Sequence, residues 1–200
     1  MNMGLVHLAS CAIAAILATS MVGCDDGGDG EGGAGGNVGT GGTGGTGGAA
    51  AANQAIATIE GKSGSMTNGS AVFTEQDGAV MLQIVVSGAP PGEHAVHIHE
   101  HPDCTADDAM SAGDHWNPTM EDHGKWGTPP FHLGDIGNIT VGDDGTGNLS
   151  LSTDLWTLGT GETNDIVDHA IMVHADPDDF VSQPSGNAGA RIGCGVIERK

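Results

Sequence analysis

Gly92-Glu93-His94-Ala95-Val96-His97-Ile98-His99-Glu100 is the stretch whose reading decides the fold. Side chains two apart on a strand share a face. Read as a strand, the stretch sends His97 and His99 to one side and Val96 and Ile98 to the other. Val96 and Ile98 then join a core, and the two imidazoles form one wall of a site outside it. Two neutral imidazoles held on one face suit copper or zinc. The same pattern also fits a plain strand that carries two surface histidines, and the histidines further along weigh on that choice.

Outward from this stretch the chain reads as short strands and turns, with no convincing helix. Residues 54–61 alternate, with Ala55, Ala57 and Ile59 on one face and Ile56 and Thr58 on the other. Residues 71–74 and 79–87 follow, separated by the turn-like Gln76-Asp77-Gly78. Ala89-Pro90-Pro91-Gly92 breaks the chain before the histidine strand. Residues 139–141 and 147–151 flank Asp143-Asp144-Gly145 as a further hairpin, 170–174 reads as a buried strand, and 191–198 closes the chain. Little strand pattern appears between residues 100 and 134, and a loop that long inside a compact domain is usually functional. The expected fold is all-β, an antiparallel Greek-key barrel or sandwich of about eight strands with long loops.

The N-terminal quarter is different in kind. Residues 5–22 are largely apolar and end at Met21-Val22-Gly23-Cys24, which resembles a bacterial secretory signal with a lipoprotein-type cleavage box. No Lys or Arg precedes the run, and Met21 stands where leucine is usual. A plain signal peptide or a membrane anchor competes with this reading, since the run is near the minimum length to span. Residues 25–49 are more than half glycine and have too little apolar surface to offset the entropy of folding. The expected organisation is a signal peptide over 1–24, a flexible tether over 25–52 and a folded domain over 53–200, long enough for a real core.

Charge and cysteine usage narrow the setting. The formal net charge is -21, with 26 acidic residues against 5 Lys and Arg. Such a chain should not bind nucleic acid or an anionic membrane through its charge. Any membrane contact would come through a lipid on Cys24. Cys11 lies in the apolar run, so Cys104 and Cys194 remain as an even pair in an exported domain, which reads as one disulfide.

The long loop supplies His115, His123 and His132, followed by Asp135. Three imidazoles and one carboxylate suffice for a closed tetrahedral zinc site. His97, His99 and His174, joined by a further imidazole, make a nitrogen-rich set suited to copper.

At these residues the sequence resembles the copper/zinc superoxide dismutases, in their bacterial exported branch. The matching pieces are His97-Ile98-His99-Glu100, Ser111-Ala112-Gly113-Asp114-His115-Trp116-Asn117-Pro118, His123-Gly124, and His132-Leu133-Gly134-Asp135-Ile136-Gly137-Asn138. Met172-Val173-His174 and the run from Gly186 to Ile197 complete them. The resemblance implies that His97, His99 and His174 bind copper, that His115 bridges copper and zinc, and that His123, His132 and Asp135 complete the zinc site. It further implies that Asp178 links His97 to His123 by hydrogen bonds, that Arg191 guides the anion to copper, and that Cys104 and Cys194 pin the loop to the last strand. Met110 departs from the eukaryotic members, whose cysteine and threonine stand there. The cysteine comes earlier, at Cys104, as in bacterial members. The segment 180–185 carries no lysine, so a charged guiding loop of the eukaryotic kind is not expected.

The remaining histidines have quieter readings. His94 is out of phase with His97 and His99 and reads as structural. His101 precedes Pro102, where the strand ends, and reads as a surface or weak-metal residue. His169 reads as a strand-end residue.

The activity implied is conversion of two superoxide radicals and two protons to dioxygen and hydrogen peroxide. Zinc has no redox chemistry of its own, so copper would cycle between oxidation states while His115 carries a proton and zinc holds that imidazole in place. A metal buffer on the same scaffold would need neither Arg191 nor a bridging His115, and a lipoprotein stiffened by one zinc would leave His97, His99 and His174 without a purpose. A homodimer is compatible with the family, and no interface can be read from the sequence.

Overall fold

The computed structural model describes residues 53–200, so the signal, tether and Cys24 readings lie outside the described residues. The described residues form nine strands: β1 (Asn53–Gly61), β2 (Asn68–Gln76), β3 (Ala79–Ser87), β4 (Gly92–His99), β5 (Asp135–Val141), β6 (Thr146–Thr153), β7 (Ala170–His174), β8 (Arg191–Val196) and the two-residue β9 (Glu198–Arg199). Every strand pairing is antiparallel. The sheet runs β2-β3-β6-β5-β4-β7-β8-β1, and β1 also pairs with β2, which closes it into an eight-stranded barrel. β3 lies beside β6 rather than β4, which makes the crossover a Greek key. Closure removes the open edges that a flat sheet would present.

Alternation fills the barrel. Ala55, Ala57 and Ile59 from β1, Val80, Leu82, Ile84 and Val86 from β3, and Val96 and Ile98 from β4 are buried in one apolar cluster. Asp77 and Gly78 both hold positive φ and connect β2 to β3 in a two-residue turn whose twist matches the strands. Trp156 closes over Phe73 in an edge-to-face pair, and its indole N–H donates to the Leu133 carbonyl at 2.9 Å.

Two β-bulges break the alternation, and both sit beside the histidines. In the β4–β5 pair, Val96 opposes Gly137 but His97 opposes Asp135, so Ile136 is an extra residue. In the β7–β8 pair, Val173 opposes Gly193 but His174 opposes Arg191, so Ile192 is extra. An inserted residue reverses the side to which the rest of the strand points. Each extra isoleucine turns into the apolar core, and Asp135 and Arg191 emerge on the outer face beside His97 and His174.

The sequence expectations hold for the fold class, and the element bounds differ most in three places. β2 is longer than the 71–74 apolar run, since its outer face is polar and contributes no hydrophobic signal. β5 begins at Asp135, which is therefore a strand residue rather than a loop residue. The last strand is interrupted at Ile197, and β9 pairs with β1 instead of β7.

Candidate metal centre

Three segments converge on the outer face of β4 and β7. The loop after β4 returns along it: the Trp116 N–H donates to the Ile98 carbonyl at 2.8 Å, and the Ile98 N–H to the Gly134 carbonyl at 2.9 Å. The Gly134 N–H closes the set on the Trp116 carbonyl at 3.0 Å. This backbone knot fixes His99, His115 and His132 relative to one another. A Cβ on Gly134 would lie 2.4 Å from the Ile98 oxygen, so only glycine allows the approach. A second small cluster, Ala109, Ala112, Ala170, Met172 and Cys194 with Cys104, seats the loop on β7 and β8. The Cys104–Cys194 disulfide, with Cα atoms 5.8 Å apart, fastens it there.

The result is two sets of donors that share one ring. His97, His99, His115 and His174 bring ligand atoms within 4.8 Å of one another, and so do His115, His123, His132 and Asp135. All seven residues are buried. The hydrogen bonds show which atom of each ring is left for a ligand. His97 Nε2–H donates to Asp178 Oδ2 at 2.9 Å, leaving Nδ1 buried with no partner. His99 Nδ1 meets the Gly113 carbonyl at 3.0 Å, leaving Nε2, which lies 3.4 Å from His174 Nε2. His115 points Nδ1 at Asp135 Oδ1, 2.9 Å away, and its Nε2 has no partner. His123 gives Nε2–H to Asp178 Oδ1 at 3.0 Å. Its Nδ1 lies 3.0 Å from Asp135 Oδ2 without hydrogen-bond alignment. Buried nitrogens without partners are costly, and here they converge.

Three of the rings are held in the neutral form that binds metal, and one is held charged between carboxylates in its place. Burial, and then neighbouring rings, push His99 and His174 well below the ordinary imidazole range, so both stay neutral. Burial pushes His115 down to about 4, against the pull of Asp135. Burial also opposes a charge on His123, but the Asp135 and Asp178 carboxylates beside its two nitrogens outweigh it and raise that ring to about 9. Both carboxylates are held below the usual range despite burial, by the imidazoles around them. Two buried carboxylates beside the neutral rings of His99, His115 and His174 draw a cation, and without metal His123 carries that charge.

Arg191 stands at the mouth of the cavity lined by His99, His115, His132 and His174, together with Met110 and Asp114. Its Nη1–H donates to the Ala109 carbonyl and its Nη2–H to the Gly113 carbonyl, both at 2.7 Å. These bonds go to carbonyl oxygens rather than to a carboxylate, so the positive charge is held in place without being neutralised by a salt bridge.

Residues 67–197 match the copper/zinc superoxide dismutases. The chain belongs to that family. The dismutase is an oxidoreductase that consumes superoxide, and its two donor clusters fit copper and zinc. A crystal structure of the clock protein EA4 is 34% identical, with 76% of this chain and 97% of that one covered and a TM-score of 0.65.

The quieter histidines of the dismutase sit apart from the clusters. The ring nitrogens of His94 lie 2.9 Å from the His174 carbonyl and 2.8 Å from that of Pro90, which ties the start of β4 to the end of β7. His169 packs on Trp116 and meets the Glu100 carbonyl at 2.9 Å. His101 is exposed, with Nε2 3.4 Å from Glu100 Oε1. Sequence reasoning missed Gly186 as a site residue. It has φ +65°, and a Cβ there would come within 1.9 Å of Asp178 Oδ1 and 2.7 Å of His123 Nε2. It also missed Gln183, whose side chain meets the His123 backbone.

Proposed function

We propose that His97, His99, His115 and His174 hold copper, that His115, His123, His132 and Asp135 hold zinc, and that Arg191 binds the superoxide anion beside the copper. The observation that carries this reading is the single imidazole, His115, common to both four-residue clusters. Copper supplies the one-electron oxidation and reduction of superoxide when bound. The chain's own residues do the rest. Arg191 offers its remaining guanidinium N–H groups to an anion at the cavity mouth. His115 Nε2, when it is not holding copper, would hold a proton and pass it to the reduced oxygen species. Asp178, bonded to one ring of each cluster, fixes tautomer and ring plane in both.

The test is metal content together with superoxide consumption. The native protein should carry one copper and one zinc per chain. His99→Ala should lose copper and all measurable activity while zinc and fold survive, and Asp135→Ala should lose zinc first. Activity in His99→Ala with copper still bound would refute the assignment.

The reading extends to the cell envelope. The apolar run 5–22 and Cys24 support an exported lipoprotein tethered through residues 25–52 to the domain 53–200. A disulfide suits an oxidising compartment such as the periplasm. Mass spectrometry of the mature protein should find Cys24 at the N-terminus with a lipid attached, and Cys24→Ser should release the protein from membranes. Sedimentation of the purified domain would show whether it is a homodimer.

A further inference from the structure

We infer that Gln183 is a positioning residue for the zinc site, acting on the backbone of His123. The inference rests on the zinc assignment above. The side-chain amide of Gln183 meets both polar groups of one backbone residue. The His123 N–H donates to Gln183 Oε1 at 2.9 Å, and Gln183 Nε2–H donates to the His123 carbonyl at 2.9 Å. Sixty residues of chain separate the two.

The pairing matters because of what else holds His123. Its ring is held at Nε2 by Asp178. A ring gripped at one atom can still pivot about that atom. Fixing the backbone as well fixes where the Cβ starts, and the two restraints together aim Nδ1 at the zinc cluster. Asp178 and Gln183 belong to the same loop, so one segment grips His123 at both ends. The neighbouring residue is anchored from the other side, where the Gly124 N–H donates to Asp135 Oδ2 at 3.2 Å. Lys125, two residues beyond His123, lies over the Phe180 ring at 5.6 Å and adds a second tie between the same loops. Loop 123–125 has no strand partner among the described residues, so side chains from loop 178–187 supply the pairing that a neighbouring strand would otherwise give.

The experiment compares zinc release from the copper- and zinc-loaded full-length protein, followed with a chromogenic chelator, in native, Gln183→Ala, Gln183→Glu and Asn187→Ala forms. Asn187 bonds Asp179 and Ser182 within the same loop, so its loss loosens the loop without touching His123. Gln183→Ala should release zinc about tenfold faster, in the range found when groups that orient metal ligands are lost, and should speed amide exchange at His123. Gln183→Glu keeps the acceptor for the His123 N–H and should recover part of the slow release. Asn187→Ala should stay near native. Native release from Gln183→Ala would overturn the inference, and so would equal acceleration in Asn187→Ala. A native protein that takes up no zinc would refute the zinc assignment itself, and the inference with it.

Discussion

At the scale of single residues, substituting Arg191 tests catalysis separately from metal storage. Its guanidinium is fixed by hydrogen bonds to two carbonyls rather than to a proposed ligand. Arg191→Ala should leave copper and zinc unchanged and lower the rate of superoxide consumption by roughly tenfold or more, within the range that local charge adds to anion capture. Arg191→Lys should recover part of the rate, and Arg191→Glu should be slowest. Stopped-flow decay of superoxide, at equal metal content, checks the order. Equal rates in all four would remove Arg191 from the mechanism. The buried rings make a second prediction, for protein stripped of metal. His99, His174 and His115 have folded values below the unfolded value of about 6.5. Below that pH the unfolded chain binds protons that the folded one does not, so stability falls as pH drops from 6.5 towards 4. His115 alone contributes roughly 3 kcal/mol over that window. His123 is raised to about 9, so its contribution is complete below pH 6.5 and fades as pH rises towards 9. Asp135 and Asp178 lose theirs only below about pH 4. Thermal melts of the metal-free domain should therefore peak near pH 6.5. A flat profile between pH 4 and 6.5 would show that these rings are open to solvent without metal.

At the scale of elements, the histidine strand was legible because its alternation is complete. Val96 and Ile98 face the barrel core while His97 and His99 face out. The barrel itself could be read from the same two-residue period in β1 and β3. Asp135 and Arg191 could not be placed that way. Counting by twos from Ile139 and Val141 sends Asp135 inward, and counting from Cys194 sends Arg191 inward. Ligand chemistry suggested Asp135 and the resemblance to a family suggested Arg191, but no period put either on the outer face, because a bulge is a property of two paired strands and leaves no period in one. Gln183 was invisible for a related reason: a side chain that pairs with distant backbone has no local pattern. The disulfide was legible by elimination, and its effect belongs at this scale. It closes a loop of 90 residues, for which the chain-entropy model gives about 4 to 5 kcal/mol, reduced by any strain. Cys104→Ser with Cys194→Ser should lower the denaturant midpoint accordingly while the metal-loaded variant keeps turning over. Loss of Arg191 anchoring, seen as a lower rate at unchanged metal content, would show that the loop needs the bridge to hold the Ala109 and Gly113 carbonyls in place.

At the scale of the molecule, charge opposes the substrate. All five basic residues lie in 53–200, against 22 acidic ones there. A domain of that sign repels superoxide at long range. Arg191, in the role proposed for it, would attract the anion locally, and Asp114, lining the same cavity, would offset part of that attraction. Salt screens the long-range field more than a contact at the cavity mouth. The native rate should therefore rise as ionic strength increases from about 10 mM, where the Debye length is near 30 Å, to about 100 mM. Asp114→Asn should be faster than native at low salt, with copper content unchanged. A native rate that falls with salt would mean that the field near Arg191 outweighs the net charge of the whole domain.

The paired bulges at Ile136 and Ile192 give this barrel something like a reading frame. Inward and outward are the two symbols, and each inserted isoleucine shifts the frame by one for everything upstream of it on that strand. Asp135 and Arg191 are the last residues written after such a shift. Both belong to the site only because the frame was moved. A sequence alignment that drops either isoleucine as a one-residue gap would keep both names in their columns and misplace their chemistry. Grafting the histidines onto another eight-stranded barrel would import the rings but would place neither Asp135 nor Arg191 beside them, unless the two insertions were copied as well.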